Sequence, residues 1–265
     1  MNLVLGGLKI LTIYVTGVRR LNYSDLFRDR VIIITGVSRS GTSILGKLIG
    51  SMQHAHYLFE PVIMQTGLGS EFIEDGTFYE DYVFPVIQNR HVNINGQDQS
   101  WSSNYFQLMN PPLTRKDTLD YIESERPWLV IKANELQAEY DELKENFPGC
   151  KIIEIYRNGN DVISSSVKRG WYADDWCRDD MLLPAFDLHI SSCPQNIYWN
   201  DVGMAWDDYT PITRCACLWR ILVEKDGFDY LVRYEHLIED PSTTFACLLD
   251  DLPLSITDKT KHHIE

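Results

Sequence analysis

Residues Val31 to Ser43 read VIIITGVSRSGTS. Five consecutive apolar or β-branched residues, closed off by Gly36, are too few for a buried helix and have the character of a strand covered on both faces. Such a strand belongs inside a mostly parallel sheet with helices on either side. The polar, glycine-flanked loop that follows leads into Ser43 to Met52, which reads as the strand's helix.

The rest of the chain repeats the alternation. Trp128–Lys132 (WLVIK), Lys151–Tyr156 (KIIEIY) and Tyr230–Arg233 (YLVR) are further strand candidates. Helices are expected over 134–146, closed by Phe147, Pro148 and Gly149, over 162–168 after the turn RNGND with Asp161 as its cap, and over 242–249. The reading is an α/β fold: a three-layer αβα domain around a central, mostly parallel sheet, whose ligands gather at the carboxyl ends of the strands. Two regions, 67–115 and 171–209, break the pattern. Both are rich in aromatics, Asn and Asp, and read as long insertions over the site.

Length and charge narrow the function. The 265 residues, 44% of them apolar, suit one domain, taken as 31–265 with an N-terminal segment, 1–30, packing on it. Residues 3–18 are apolar but short and interrupted by Lys9, so packing is favoured over a spanning helix, a peripheral membrane contact being the alternative. No signal peptide is read. Twenty-four basic against 38 acidic residues give −14, which argues against a nucleic-acid binder and requires any anionic ligand to sit in a local basic pocket. Cys150, Cys177, Cys193, Cys215, Cys217 and Cys247 form no CxxC pair, so no zinc or other metal site is indicated, and reduced thiols in a cytoplasmic protein are expected.

Gly36 to Ser43, GVSRSGTS, resembles the G-x-x-x-x-G-K-[ST] phosphate cradle, in which backbone N–H groups and a helix N-terminus converge on an anion. Thr42 replaces the nucleotidase lysine, Arg39 supplies an earlier cation, and no strand candidate ends in a carboxylate suited to Mg²⁺. ATP hydrolysis is therefore poorly served.

Three blocks in order, ITGVSRSGTS, IYRNGNDVISSSVKRGW and LVRYEHLIEDP, resemble the sulfotransferases that use 3′-phosphoadenosine-5′-phosphosulfate (PAPS). The resemblance implies a P-loop-like fold and a metal-free sulfuryl transfer that leaves 3′-phosphoadenosine-5′-phosphate (PAP). It implies that Ser38, Arg39, Ser40, Gly41, Thr42 and Ser43 hold the 5′-phosphosulfate, that Arg157, Ser165 and Arg169 hold the 3′-phosphate, and that Tyr234 lies near the adenine. Arg39 and Lys132 are placed at the transfer centre. Where cytosolic members carry a histidine base after a lysine, this chain has Asn134 after Lys132, and a neutral amide cannot take the proton. HYLFEPV, His56 to Val62, resembles a segment of carbohydrate 6-O-sulfotransferases and makes Glu60 the expected base, its apolar flank Tyr57, Leu58 and Phe59 favouring that role. His54 and His56 compete with it. Trp171, Tyr172, Trp176, Tyr198, Trp199, Trp206 and Tyr209, interleaved with Asp174, Asp175, Asp201, Asp207 and Asp208, suit a neutral glycan or glycolipid acceptor, or else the packing of an insertion. A P-loop kinase of small molecules and a nucleotide-binding inactive relative remain as alternatives.

Overall fold

The computed structural model describes residues 23–61, 73, 76–88, 113–134, 136–173, 182–183, 188–189, 208–252 and 254–264. Five strands, β1 (Val31–Thr35), β2 (Ala55–Phe59), β3 (Trp128–Lys132), β4 (Lys151–Tyr156) and β7 (Tyr230–Arg233), form one parallel sheet in the order β2-β3-β1-β4-β7. Two-residue strands β5 (Leu182–Leu183) and β6 (Leu188–His189) pair antiparallel apart from it.

The sheet is closed on both faces by helices, as its unbroken apolar strands require. β1, β3 and the middle of β4 are buried throughout. On one face Ile33, Leu58, Leu129, Ile131 and Ile152 meet α2 (Arg115–Glu125), α3 (Tyr140–Asn146) and the aromatic run Phe78, Tyr79, Tyr82 and Phe84. On the other, Ile32, Ile34, Val130, Ile153 and Val232 meet α1 (Thr42–Gly50), α6 (Tyr234–Glu239) and α7 (Pro241–Leu249). A third cluster joins Val37 and Tyr172 to α4 (Gly159–Val167) and α5 (Pro211–Val223), and α8 (Asp258–Ile264) ends the chain. Burying a Leu- or Ile-sized side chain contributes roughly 1.5–3 kcal/mol, so these clusters are the main favourable term.

Several local expectations need correction. The helix expected over 134–146 starts late, as a 3₁₀ turn at Gln137–Glu139 followed by α3; the Leu136 N–H goes to the Thr35 hydroxyl at 3.1 Å rather than into a helix. α4 starts three residues early: Asn158, not Asp161, caps it, accepting from the Asn160 N–H at 3.0 Å. Within 67–115, the described residues 76–88 are core rather than cover. Phe78, Tyr79, Val83 and Phe84 are each at most 1% exposed. Most of that region and of 171–209 lies outside the described residues, as do residues 3–18, Cys177 and Cys193. At the N-terminal edge, Phe27 is buried and Tyr23 stacks on Tyr79 at 5.5 Å. Cys150, Cys215, Cys217 and Cys247 are free thiols, the last exposed rather than buried as expected. Among the described residues no helix is long and apolar enough to cross a membrane.

Candidate active site

β1 sits between β3 and β4. Its helix α1 carries the chain towards β2 at one edge, whereas β4 leads towards β7 at the other. This change of direction opens a crevice at the carboxyl ends of β1 and β4, the place where such sheets bind ligands. Two glycines make it narrow. Gly36 (φ 152°) lies so close to β4 that a Cβ would strike the Ile155 carbonyl, and Gly41 (φ 99°) faces the Tyr234 ring in the same way. Gly41 is also the residue before α1 and brings no side-chain cap. Among the described residues the N–H groups of Gly41, Thr42 and Ser43 donate to no backbone carbonyl outside the helix. Uncapped donors at a helix start are an anion site.

Positive charge gathers on the β4 side of the loop. Arg157, just after β4, donates Nη1 to the Arg39 carbonyl at 3.1 Å and lies 4.5 Å over the Tyr234 ring. Arg39 donates Nε to Ser165 Oγ at 3.0 Å and stands 5.6 Å from the Trp171 ring. Burial first, then the like charges of Arg169 and Arg157, lower the Arg39 pKa. Among the described residues none of these arginines forms a salt bridge, although the Arg157 charge is felt at the Glu235 carboxylate, and the buried Arg157 Nε and Ser40 Oγ have no hydrogen-bond partner. Three guanidiniums clustered in a chain of net charge −14 repel one another unless an anion joins them. Arg157 faces the loop.

The β3 side holds the carboxylate. Glu60 follows β2, the edge strand, and its N–H bonds to the Lys132 carbonyl at 2.7 Å. Lys132, 1% exposed and 4.8 Å from the Phe59 ring, forms an ion pair with Glu60 Oε1. Asn134 donates to the same oxygen at 2.8 Å and accepts from Thr42 at 2.8 Å. The apolar setting expected for Glu60 is thus corrected: β2–β3 pairing puts Phe59 opposite Lys132, which brings an ammonium to the carboxylate. Glu60 (φ 43°) and Arg39 (φ 74°) both adopt left-handed backbone, a strain of about 1–3 kcal/mol each that packing must offset and that clusters at functional sites. His56 takes no part. It lies on the opposite face of the sheet, its Nε2 3.0 Å from the Tyr121 hydroxyl, and burial lowers its pKa to about 4.

The loop with its uncapped helix, the arginine cluster and the paired carboxylate therefore meet at one crevice. A family model described as "Sulfotransferase family" matches residues 31–192, which span all three. The chain belongs to the sulfotransferase family. No curated protein matches alongside it. Among solved structures, this sulfotransferase is similar to a sulfotransferase domain from the curacin biosynthetic pathway (16% identity, TM-score 0.46, covering 89% of this chain and 78% of that one). It is similar also to sulfotransferase STF1 from Mycobacterium tuberculosis H37Rv (15%, TM-score 0.44, 91% and 72%). A third is the sulfotransferase domain of the Synechococcus PCC 7002 olefin synthase (14%, TM-score 0.46, 89% and 77%). The family establishes the protein as a sulfuryl-transferring enzyme, and the sheet as its α/β fold.

The sulfotransferase site also contains residues that the sequence did not single out. Asn134, set aside as unable to act as a base, is the link between loop and carboxylate. Trp219 on α5 donates Nε1 to the Arg157 carbonyl at 3.1 Å and packs on Gly159, holding the turn that presents Arg157. Glu235 accepts from the Asn158 N–H at 2.8 Å on the same turn. Glu235 could have been found, since it adjoins Tyr234; Trp219 carried no local signal. Tyr172, considered for the acceptor, is 1% exposed and packs in the third cluster. Trp176, Tyr198, Trp199, Trp206 and the aspartates 174, 175, 201 and 207 lie outside the described residues. No group of His, Cys, Asp and Glu able to hold a metal occurs among the described residues.

Proposed function

We propose that this sulfotransferase moves the sulfuryl group of PAPS to a hydroxyl of a carbohydrate or glycolipid, with Glu60 as general base. The observation that carries the reading is the side-chain chain Thr42–Asn134–Glu60–Lys132, which joins an anion-binding loop to a carboxylate. The donor fits the residues present. Its 5′-phosphosulfate would be held by the loop N–H groups with the hydroxyls of Ser38, Ser40, Thr42 and Ser43, and its 3′-phosphate by Arg157, Ser165 and Arg169. Tyr234, under Arg157, offers a ring face to the adenine. Arg39 adds its charge from the Ser165 side of the loop.

PAPS supplies an activated sulfur whose leaving group is already a stable phosphate. What the chain must add is alignment of the acceptor, removal of its proton and positive charge at the bridging oxygen. Glu60 takes the proton as the acceptor oxygen bonds to sulfur and the bond from sulfur to the phosphate oxygen breaks. Lys132 holds the carboxylate oriented beforehand, and Arg39 with the loop donors meets the charge left on PAP. The acidic balance of the chain and the likeness of HYLFEPV to carbohydrate enzymes support a neutral glycan acceptor over a polyanionic one. Residues 31–265 are taken as one domain, with the segment before it packing through Tyr23 and Phe27.

The test is thermal stabilisation by PAP, compared with ADP and ATP with and without Mg²⁺. At 100 times its dissociation constant PAP should add about 2.7 kcal/mol, without metal, and Arg157→Ala should remove the effect. Stabilisation by Mg-ATP alone would replace this reading with a kinase. Glu60→Gln should keep the PAP response while transfer from PAPS to neutral oligosaccharides, followed by mass spectrometry, falls by roughly 10²–10⁴.

A further inference from the structure

Asn134 stands where the two halves of the site meet. Thr42 Oγ1 lies 2.8 Å from its Oδ1, and Glu60 Oε1 lies 2.8 Å from its Nδ2. Neither direction can be reversed. Glu60, ion-paired with Lys132, offers only acceptor atoms, so the NH₂ end of the amide must face it. The carbonyl end is then left for Thr42, which must be the donor. A hydroxyl has one proton, and here Asn134 receives it.

Thr42 is also the first residue of α1, at the uncapped end of the loop. Any phosphate or sulfate oxygen arriving there can only accept, so it competes with Asn134 Oδ1 for that single proton. We infer that Asn134 is a positioning residue that couples occupancy of the loop to the Glu60 carboxylate. An anion in the loop draws off the Thr42 hydroxyl, frees Asn134 Oδ1, and changes the hydrogen bonding that seats Glu60 against Lys132. The base is then set for an acceptor only once the donor is in place. The inference rests on the donor site and base proposed above, and adds to them the residue that connects the two.

The test uses the full chain labelled with ¹³C at glutamate side-chain carboxyls, with the Glu60 signal assigned by its loss in Glu60→Gln and PAP as the probe. Wild-type protein should show the Glu60 signal move on saturation with PAP. In Asn134→Ala the movement should be lost, although PAP still binds by calorimetry within about tenfold of wild type, the scale of one lost neutral hydrogen bond. Thr42→Ser should keep the response and Thr42→Val should lose it. Asn134→Leu, closer in volume, repeats the measurement if the alanine variant does not fold. A wild-type signal unmoved by bound PAP, or a full response in both Asn134 variants, overturns the coupling and leaves the donor reading standing. Failure of wild-type protein to bind PAP overturns both.

Discussion

At Gly41 two separate constraints coincide. Its φ of 99° is left-handed, and the Tyr234 ring fills the space a side chain would take. Gly→Ala stabilises a protein by about 0.4–1 kcal/mol where no strain arises, but at this left-handed, filled position Gly41→Ala should destabilise by more than that and should displace the ring beneath Arg157. The expected outcome is a folded protein of lower melting temperature whose stabilisation by PAP is lost. His56 gives a second residue-scale prediction. Burial, aided by His54, holds its folded pKa at about 4, below the ordinary 6.5 of an unfolded histidine. Between these values the unfolded chain binds the extra proton, so stability is complete above the unfolded value and is lost as pH falls towards 4. From pH 7 to pH 5 this amounts to about 2 kcal/mol. Glu139, its pKa raised to about 7 by burial, contributes in the opposite direction over the same window, so the check is a comparison: in urea denaturation at both pH values, His56→Gln should lose about 2 kcal/mol less than wild type on going from pH 7 to pH 5.

Elements in this fold are joined by polar contacts as well as by apolar ones. α8 docks on the end of α1 through hydroxyls: Ser51 Oγ donates to Thr260 Oγ1 at 2.9 Å, and Thr257 donates to the Ser51 carbonyl at 3.0 Å. Thr260 is fully buried. Thr260→Val keeps the volume and removes the hydroxyl, and should cost about 1–2 kcal/mol, read as a lower urea midpoint at unchanged slope. Although α1 also begins with Thr42, the α8 contacts lie at its far end, so a loosened α8 should weaken PAP binding only through global stability and leave the affinity of the folded protein unchanged. β4 illustrates the same use of polar groups. Glu154, 2% exposed in the middle of the sheet, has its pKa raised by burial, opposed by hydrogen bonds from the Tyr140 hydroxyl at 2.6 Å and from Gln137. It stands on the face away from α1, and so takes no part in the crevice.

For the whole molecule the decisive contrast is between a net charge of −14 and the cluster of Arg39, Arg157 and Arg169. An anionic donor is repelled at long range and attracted at short range. Salt screens both, but the long-range part more completely, since the cluster lies partly buried at the crevice. Calorimetric titration with PAP at low and at physiological ionic strength should show affinity changing less with salt than three exposed cations would give. Arg169→Ala, at the exposed rim, should reduce the salt dependence, whereas Arg157→Ala should reduce affinity at every salt concentration.

Much of this was legible in the chain itself. β1, β3 and β4 were readable because a strand buried on both faces is a largely apolar run, and β7, an edge strand with Leu231 exposed, because a short run of aromatic and β-branched residues is itself a strand signal; both patterns are local. The loop was readable because only glycine tolerates the backbone at Gly36 and Gly41, and Glu60, Arg39, Lys132 and Arg157 were named because the blocks that hold them resemble sulfotransferase motifs. The sequence could not show who partners whom. That Lys132 meets Glu60 across β2 and β3, that Asn134 joins Thr42 to that carboxylate, that Trp219 fixes Arg157 from 62 residues away, and that His56 turns to the far face with Tyr121 all follow from sheet order and register. Local pattern determines which segments form strands and loops; only closure of the sheet brings distant polar groups within hydrogen-bond distance, and that distance decides their chemistry.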